Sequence, residues 1–212
     1  MGYKRARISA FLVDIFFVVV LTVLIGNVSF LNPGLYTSDD AYTKYMEVYD
    51  ELLTNVNTTD EVKINEINDK MKVVVKDYEK SNKFIYLYYL IFTFIYFVIF
   101  QWWNKGQTLG KKLFKLKVVD DNEENPNIFK YILRTLFNGS SLIMGVNFIL
   151  LVRLIFLFIG GIGTNTFYNI YLGTQYAAYI FELVFIVVYL VNKKNKGLDD
   201  IIAGTKVIST KK

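Results

Sequence analysis

Seven residues after Arg7, the chain places Asp14 inside an apolar run that extends from Ile8 to Phe30. A carboxylate in a bilayer core costs a few kcal/mol even on forgiving insertion scales, so it faces protein, water or a partner charge. Two helical turns bring Arg7 and Asp14 onto nearly the same face, and Ala10 between them is small enough to let another helix approach. Such an acid could bind and release a cation or a proton, with Arg7 modulating its pKa. Two further charges, Arg153 and Glu182, each lie seven residues inside the end of a later apolar run. That is a depth of about 10 Å at about 1.5 Å per residue. They are expected to pair between adjacent antiparallel helices, because each alone would be costly in lipid. Fixing helix register is the plain role of that pair; a gate or ion path is the sharper one.

The chain has no cysteine and no histidine, so disulfides, thiolate metal sites, Ser-His-Asp triads and histidine proton shuttles are excluded. No cofactor and no metal site is expected. The segment Gly106 to Lys111 has the flavour of a phosphate loop, but it lacks the full Gly-x4-Gly-Lys-Ser/Thr pattern and follows an apolar span. Gln107 and Thr108 within it could supply oxygen ligands at the inner mouth of a path, or simply form a turn. Asp120-Asp121 and Glu123-Glu124 read as a solvated turn. Nothing supports catalysis, and the protein is not expected to be an enzyme.

The elements that must carry these residues are membrane spans. Hydrophobic residues make up 53% of the 212-residue chain and are gathered into long blocks, with mean hydropathy +0.32. The first block has no small-x-small cleavage site and reads as a retained span. Spans are expected within 1–31, at 84–103, at 140–159 and at 175–192, each near the about 20 residues that a hydrocarbon core of about 30 Å requires. Basic residues cluster before the first span, at Lys4, Arg5 and Arg7, in the 104–139 loop, and in the 193–212 tail at Lys193, Lys194, Lys196, Lys206, Lys211 and Lys212. The 32–83 segment instead carries seven lysines against eleven acids, and the 160–174 loop carries no charge. The positive-inside rule then makes both termini and the middle loop cytoplasmic. The basic residues are topology signals, and no nucleic-acid partner is expected.

In the external 32–83 segment, Tyr42, Tyr45, Met46, Tyr49, Leu52 and Leu53 fall at helical spacing, as do Val62, Ile67, Met71, Val74, Val75 and Tyr78. They predict a helical hairpin turning near Asn57-Thr58-Thr59, whose faces pack together or offer a surface to a protein partner. On the cytoplasmic side, Lys115-Leu116-Lys117-Val118 and Thr205-Lys206-Val207-Ile208-Ser209 read as two strands able to pair. Asn125-Pro126 is expected to open an amphipathic helix lying in the interface, with Lys130 and Arg134 toward the headgroups. Gly197 ends span four, and Asp199 is placed to cap a short turn closed by Gly204.

Three segments resemble the signature segments of the RDD family of bacterial membrane proteins: Arg7-Ile8-Ser9-Ala10-Phe11-Leu12-Val13-Asp14; Gly106-Gln107-Thr108-Leu109-Gly110-Lys111 followed by Leu116-Lys117-Val118-Val119-Asp120; and Lys196 through Thr205. The arginine and two aspartates that name the family fall on Arg7, Asp14 and Asp200. Where the family pattern leads one to expect histidine before the last aspartate, this chain has Asp199, so a proton-handling role for that histidine does not carry over. The resemblance implies a bacterial plasma-membrane, multi-pass protein, for which transport of some ligand has been suggested.

The fold class expected is an all-α membrane protein with four transmembrane helices, both termini cytoplasmic, an external helical hairpin, a small cytoplasmic strand pair and an interfacial helix. Two functional readings stand. In one, Asp14 binds a cation, proton or small ligand in a transporter, with Arg7 and Asp200 beside it; a carrier of only four spans would be expected to oligomerise. In the other, Arg7 bridges Asp14 and Asp200 as a structural charge cluster in an accessory or scaffold protein. The lipid bilayer is the one partner common to both.

Overall fold

The computed structural model describes residues 3–140, 145–192 and 195–210. Helix α1 (Tyr3–Gly26) is an apolar rod whose only acid is Asp14. Its 24 residues make it about 36 Å long at about 1.5 Å per residue. A corner follows, held by Asn32, whose Nδ2 donates to the Gly26 carbonyl at 2.8 Å. Gly34 lies so close to α3 that a Cβ there would sit 2.0 Å from the Ser81 carbonyl oxygen, so only glycine fits.

Helix α2 (Leu35–Thr54) then lies against α3 (Glu61–Phe94), and the two form the expected hairpin. The turn ends at Asp60, whose side chain accepts from the Val62 and Lys63 amides at 3.0 and 3.2 Å and caps α3. Along α3 a buried stripe at Ile67, Met71 and Val75 packs inward. The helix does not stop at the expected start of span two. It continues through a π-helical segment (Ile95–Phe100) and a last turn α4 (Gln101–Trp103), so hairpin arm and span are one 43-residue rod.

At the far end of that rod lies a compact module: the short helix α5 (Leu109–Leu113), strand β1 (Leu116–Asp120), helix α6 (Ile128–Leu136), helix α9 (Leu198–Ala203) and strand β4 (Thr205–Ser209). β1 and β4 pair antiparallel, with Leu116 opposite Ser209 and Asp120 opposite Thr205, tying the tail to the middle loop. The cap of α6 is Asn127, which accepts from the Lys130 amide at 3.0 Å, not the expected Asn125. Asn125 accepts instead from the Tyr131 hydroxyl. Ala10, Val98, Leu116, Val118, Tyr131 and Val207 form the core that joins this module to α1 and the rod.

The chain then returns. A two-residue ladder pairs β2 (Gly139–Ser140) with β3 (Gly145–Val146), and α7 (Asn147–Ile159) starts beside α6, where Asn147 Nδ2 donates to the Thr135 carbonyl at 2.7 Å. It ends beside the hairpin end of α3, where the Phe158 and Phe84 rings meet edge-on at 5.8 Å. The helix expected over 140–159 thus begins only at Asn147, and its 13 residues reach about 20 Å at about 1.5 Å per residue. Residues 141–144 of that expected span, and Lys193, Lys194, Lys211 and Lys212 of the tail, lie outside the described residues. Helix α8 (Thr164–Val191) starts well before the expected 175, so the 160–174 loop shrinks to 160–163.

A second core, made by Ile15, Val18, Tyr89, Tyr96, Phe97 and Leu150, binds α1, the rod and α7. By contrast Ile180, Leu183, Ile186 and Leu190 of α8 stay exposed, as an apolar helix does when hydrocarbon is its solvent. Among the described residues three helices are long and apolar enough to cross a membrane: Tyr3–Gly26, Glu61–Trp103 and Thr164–Val191.

Candidate functional site

Asp14 is completely buried, and it faces α5 and the rod. Gly110 makes this possible, since a Cβ there would meet the Ala10 carbonyl oxygen at 2.2 Å and Asp14 Oδ1 at 2.8 Å. The bare backbone lets the Gly110 amide donate to Asp14 Oδ1 at 2.7 Å. Tyr96, carried on the π-helical segment, donates its hydroxyl to the same oxygen at 2.7 Å and accepts from the Leu109 amide at 3.0 Å. The Thr108 hydroxyl donates to Oδ2 and also caps α5, accepting from the Lys111 amide at 3.3 Å. Lys111 Nζ lies 3.6 Å from Oδ2 and 5.4 Å from the centre of the Phe97 ring. A carboxylate offers about four lone-pair directions, and here three are met by hydrogen-bond donors, with the ammonium beside Oδ2 at ion-pair distance.

The ammonium donates to Thr108 Oγ1 at 3.3 Å and is the only charged group among these neighbours of Asp14. Burial pushes the Lys111 pKa down to about 8, against the upward pull of Asp14. The setting therefore penalises the charged form of Lys111.

A second cluster lies at the same end. Arg7 Nη2 is 2.6 Å from Asp200 Oδ2, which also accepts from the Gly197 amide at 2.9 Å and so caps α9. Asp200, not the expected Asp199, is the capping residue. Arg134 reaches across from α6: its Nη1 bonds Asp200 Oδ1 and, at 3.0 Å, Thr205 Oγ1, while Nη2 meets Asp199 Oδ2 at 2.8 Å. Two guanidinium groups thus face two carboxylates, with Arg134, Asp199 and Asp200 buried and Arg7 partly so. Burial alone would raise the Asp200 pKa, yet Arg134 and Arg7 outweigh it and hold the carboxyl down at about 2. For Asp199 burial wins over Arg134, and its pKa rises.

These contacts join the segments around Arg7, Asp14 and Asp200 into one unit, as the sequence signatures imply. The sequence profile of the RDD family matches residues 5–204. The chain belongs to the RDD family. No curated protein and no solved structure matches it.

In this RDD protein the three name-giving residues do not form a single cluster. Arg7 goes to Asp200 and leaves Asp14 to Lys111, so the expected bridge of Arg7 between the two acids is absent. Arg7 is held toward α8 by its guanidinium stacking 5.5 Å over the Tyr189 ring and by a bond to the Asn195 carbonyl. Arg134 does not point to headgroups as expected, because α9 places two acids beneath it, which a surface guanidinium could not ignore. Gln107 serves a turn, donating to the Leu116 carbonyl at 2.9 Å, whereas Thr108 reaches Asp14.

The expected Arg153–Glu182 pair is also corrected. Arg153 Nη1 lies 3.7 Å from Glu79 Oε1, on the rod, because α7 packs against α3 as well as α8, and on α8 it meets Thr174, Gln175 and Tyr171. Glu182 instead lines a cavity of about 380 Å³ between α1, α8 and the module, together with Arg7, Lys111, Arg134 and Asp199. Lys111 is thereby in contact with the cavity while Asp14 lies behind it. Among the described residues no group of three or more acids is placed to hold a metal ion.

Sequence reasoning passed over Tyr96, Lys111, Arg134 and Glu79 as site residues. For Glu79 a signal existed, since it continues the apolar stripe Ile67, Met71, Val75 at the next i+4 position. For Tyr96 there was none, because its direction depends on the π-helical register.

Proposed function

We propose that this RDD-family protein is a multi-pass carrier of the bacterial plasma membrane that moves a monovalent cation or a proton, with Asp14 as the membrane site and Lys111 as its internal competitor. The observation that carries the reading is the pair of buried Asp14 with Lys111, which lines a cavity between α1, α8 and the module. A cation entering the cavity can take the ammonium's place on Asp14 Oδ2, while Tyr96, Thr108 and Gly110 keep the carboxylate in position. Lysine suits this role because, unlike arginine, it gives up its proton readily when buried.

The basic residues of the module and the first turns of α1 support a cytoplasmic location for that end, with the acid-rich hairpin outside. The direction of α7, from the module to the hairpin end, supports four passages of the bundle. The Arg7–Asp200–Arg134 cluster then serves as a clamp that holds the tail module against α1 at the cavity mouth.

Flux of sodium, potassium and protons into sealed liposomes under imposed gradients tests the proposal. The wild type should carry at least one of these ions, and Asp14→Asn, folded, should lower the initial rate by about ten-fold or more, the loss expected for about 1.4 kcal/mol. A folded wild type that carries none of them would refute the carrier reading.

A further inference from the structure

Glu79 is a further buried carboxylate, and neither the Asp14 site nor the arginine cluster uses it. It is only 3% exposed, yet its environment differs from that of Asp14. Its Oε1 has two contacts at the outer limit of bonding, the Tyr86 hydroxyl at 3.4 Å and Arg153 Nη1 at 3.7 Å, and its Oε2 has no hydrogen-bond partner. A buried oxygen without a donor is costly, and a carboxylate kept only for an ion pair would close its geometry on the guanidinium.

Arg153 is meanwhile well provided for without Glu79. Its Nη2 donates to Gln175 Oε1 at 2.8 Å and to Thr174 Oγ1 at 3.3 Å, and its guanidinium lies 4.8 Å over the Tyr171 ring. Neutralising Glu79 would therefore not strand the cation. Tyr45 on α2, Tyr78 and Tyr86 on α3, and Tyr171 on α8 also feel the charge of Glu79.

The position along the rod matters as much. Glu79 and Tyr96, the residue that binds Asp14, are 17 residues apart on one continuous helix, about 25 Å at about 1.5 Å per residue. Tyr86, Tyr89 and Thr93 fall between them at spacings of seven, three and four, on the same inward face, and Tyr89 and Thr93 are buried. The rod thus carries a hydroxyl-bearing stripe with a carboxylate contact at each end.

We infer that Glu79 is a second proton-binding carboxylate, at the hairpin end of the bundle, which takes a proton on Oε2 and serves as the outer counterpart of Asp14. The proton-binding part stands on the geometry of Glu79 alone; its service as an outer station rests on the carrier reading above. Protonation forms the Oε2–H bond and cancels the carboxylate charge, while Arg153 keeps its contacts with Gln175, Thr174 and Tyr171.

Infrared titration of the full protein in bilayers reads the site directly. The protonated-carboxyl C=O band should contain a component that titrates in the wild type, disappears in Glu79→Gln and returns at a shifted frequency in Glu79→Asp. A band identical in wild type and folded Glu79→Gln would overturn the assignment; if Glu79→Gln does not fold, an unshifted band in Glu79→Asp does the same. Flux separates the two claims. A wild type that carries nothing ends the carrier reading, with the infrared result still deciding whether Glu79 binds a proton. A wild type that carries ions whose dependence on outside pH is unchanged in Glu79→Gln removes the outer-station role alone.

Discussion

Two clusters of buried charge share one end of this molecule, and they differ in their cations. Asp14 faces a lysine, and Asp199 and Asp200 face two arginines. An arginine cannot be deprotonated in a protein, so the second cluster keeps both its positive charges and acts as a staple. The cation beside Asp14 is instead an ammonium, 3.6 Å from Oδ2, that can give up its proton. The contrast teaches where to look for exchange: not where charge is most abundant, but where its cation can let go.

The largest effect should come from breaking the staple. Arg134→Met leaves Asp199 and Asp200 buried with Arg7 alone, and removing one partner of such a set costs about 3–5 kcal/mol. The protein should be lost from the membrane fraction, or unfold far earlier on heating in detergent. Retention of wild-type thermal stability would show that the arginine cluster is not the staple.

Next is Gly110→Ala, whose Cβ would stand 2.2 Å from the Ala10 carbonyl oxygen. Helix α5 must lift from α1, with a cost of about 1–3 kcal/mol, read as an earlier unfolding transition. If the two clusters are independent, the Arg7–Asp200 contact should survive, and charge-reversal rescue at those two positions should work equally well in the Gly110→Ala background.

A smaller effect is a difference in pH dependence. The folded Lys111 pKa of about 8 lies below the about 10.4 of an unfolded lysine, so the unfolded chain holds more protons between those values. Stability should therefore rise with pH across that window, and Lys111→Met should flatten the rise. Asp200 acts in the opposite range: its folded pKa of about 2 lies below the unfolded value of about 3.9, so its contribution is present above that value and lost as pH falls through about 2. The smallest effect is expected at the module surface, where Lys206→Ala removes an exposed pair with Glu123 and should leave the unfolding transition unmoved.

Much of this architecture was legible in the sequence. Apolar blocks announced membrane helices, alternation at Leu116 to Val118 and Thr205 to Ser209 announced the strand pair, and the three signature segments announced the family. What pairs with what was less legible. Arg7 sits two turns from Asp14 on the same helix, yet side chains on α1 are claimed by what packs on it, and α9 reaches Arg7 while α5 reaches Asp14. The Arg153 partner was misjudged for a similar reason. Sequence depth equated Arg153 with Glu182, but α8 begins at Thr164 and α3 runs unbroken from Glu61, which slides Glu79 into reach instead. Element lengths, not residue chemistry, were the missing information.

The most direct test of the central claim converts one cluster into the other. Lys111→Arg keeps the positive charge beside Asp14 but removes its ability to let go of a proton. Ion flux in sealed liposomes, with folding checked by the thermal transition, should be lost in Lys111→Arg as fully as in Asp14→Asn. Wild-type flux in a folded Lys111→Arg protein would contradict the account, because a fixed guanidinium would then serve Asp14 as well as an exchangeable ammonium.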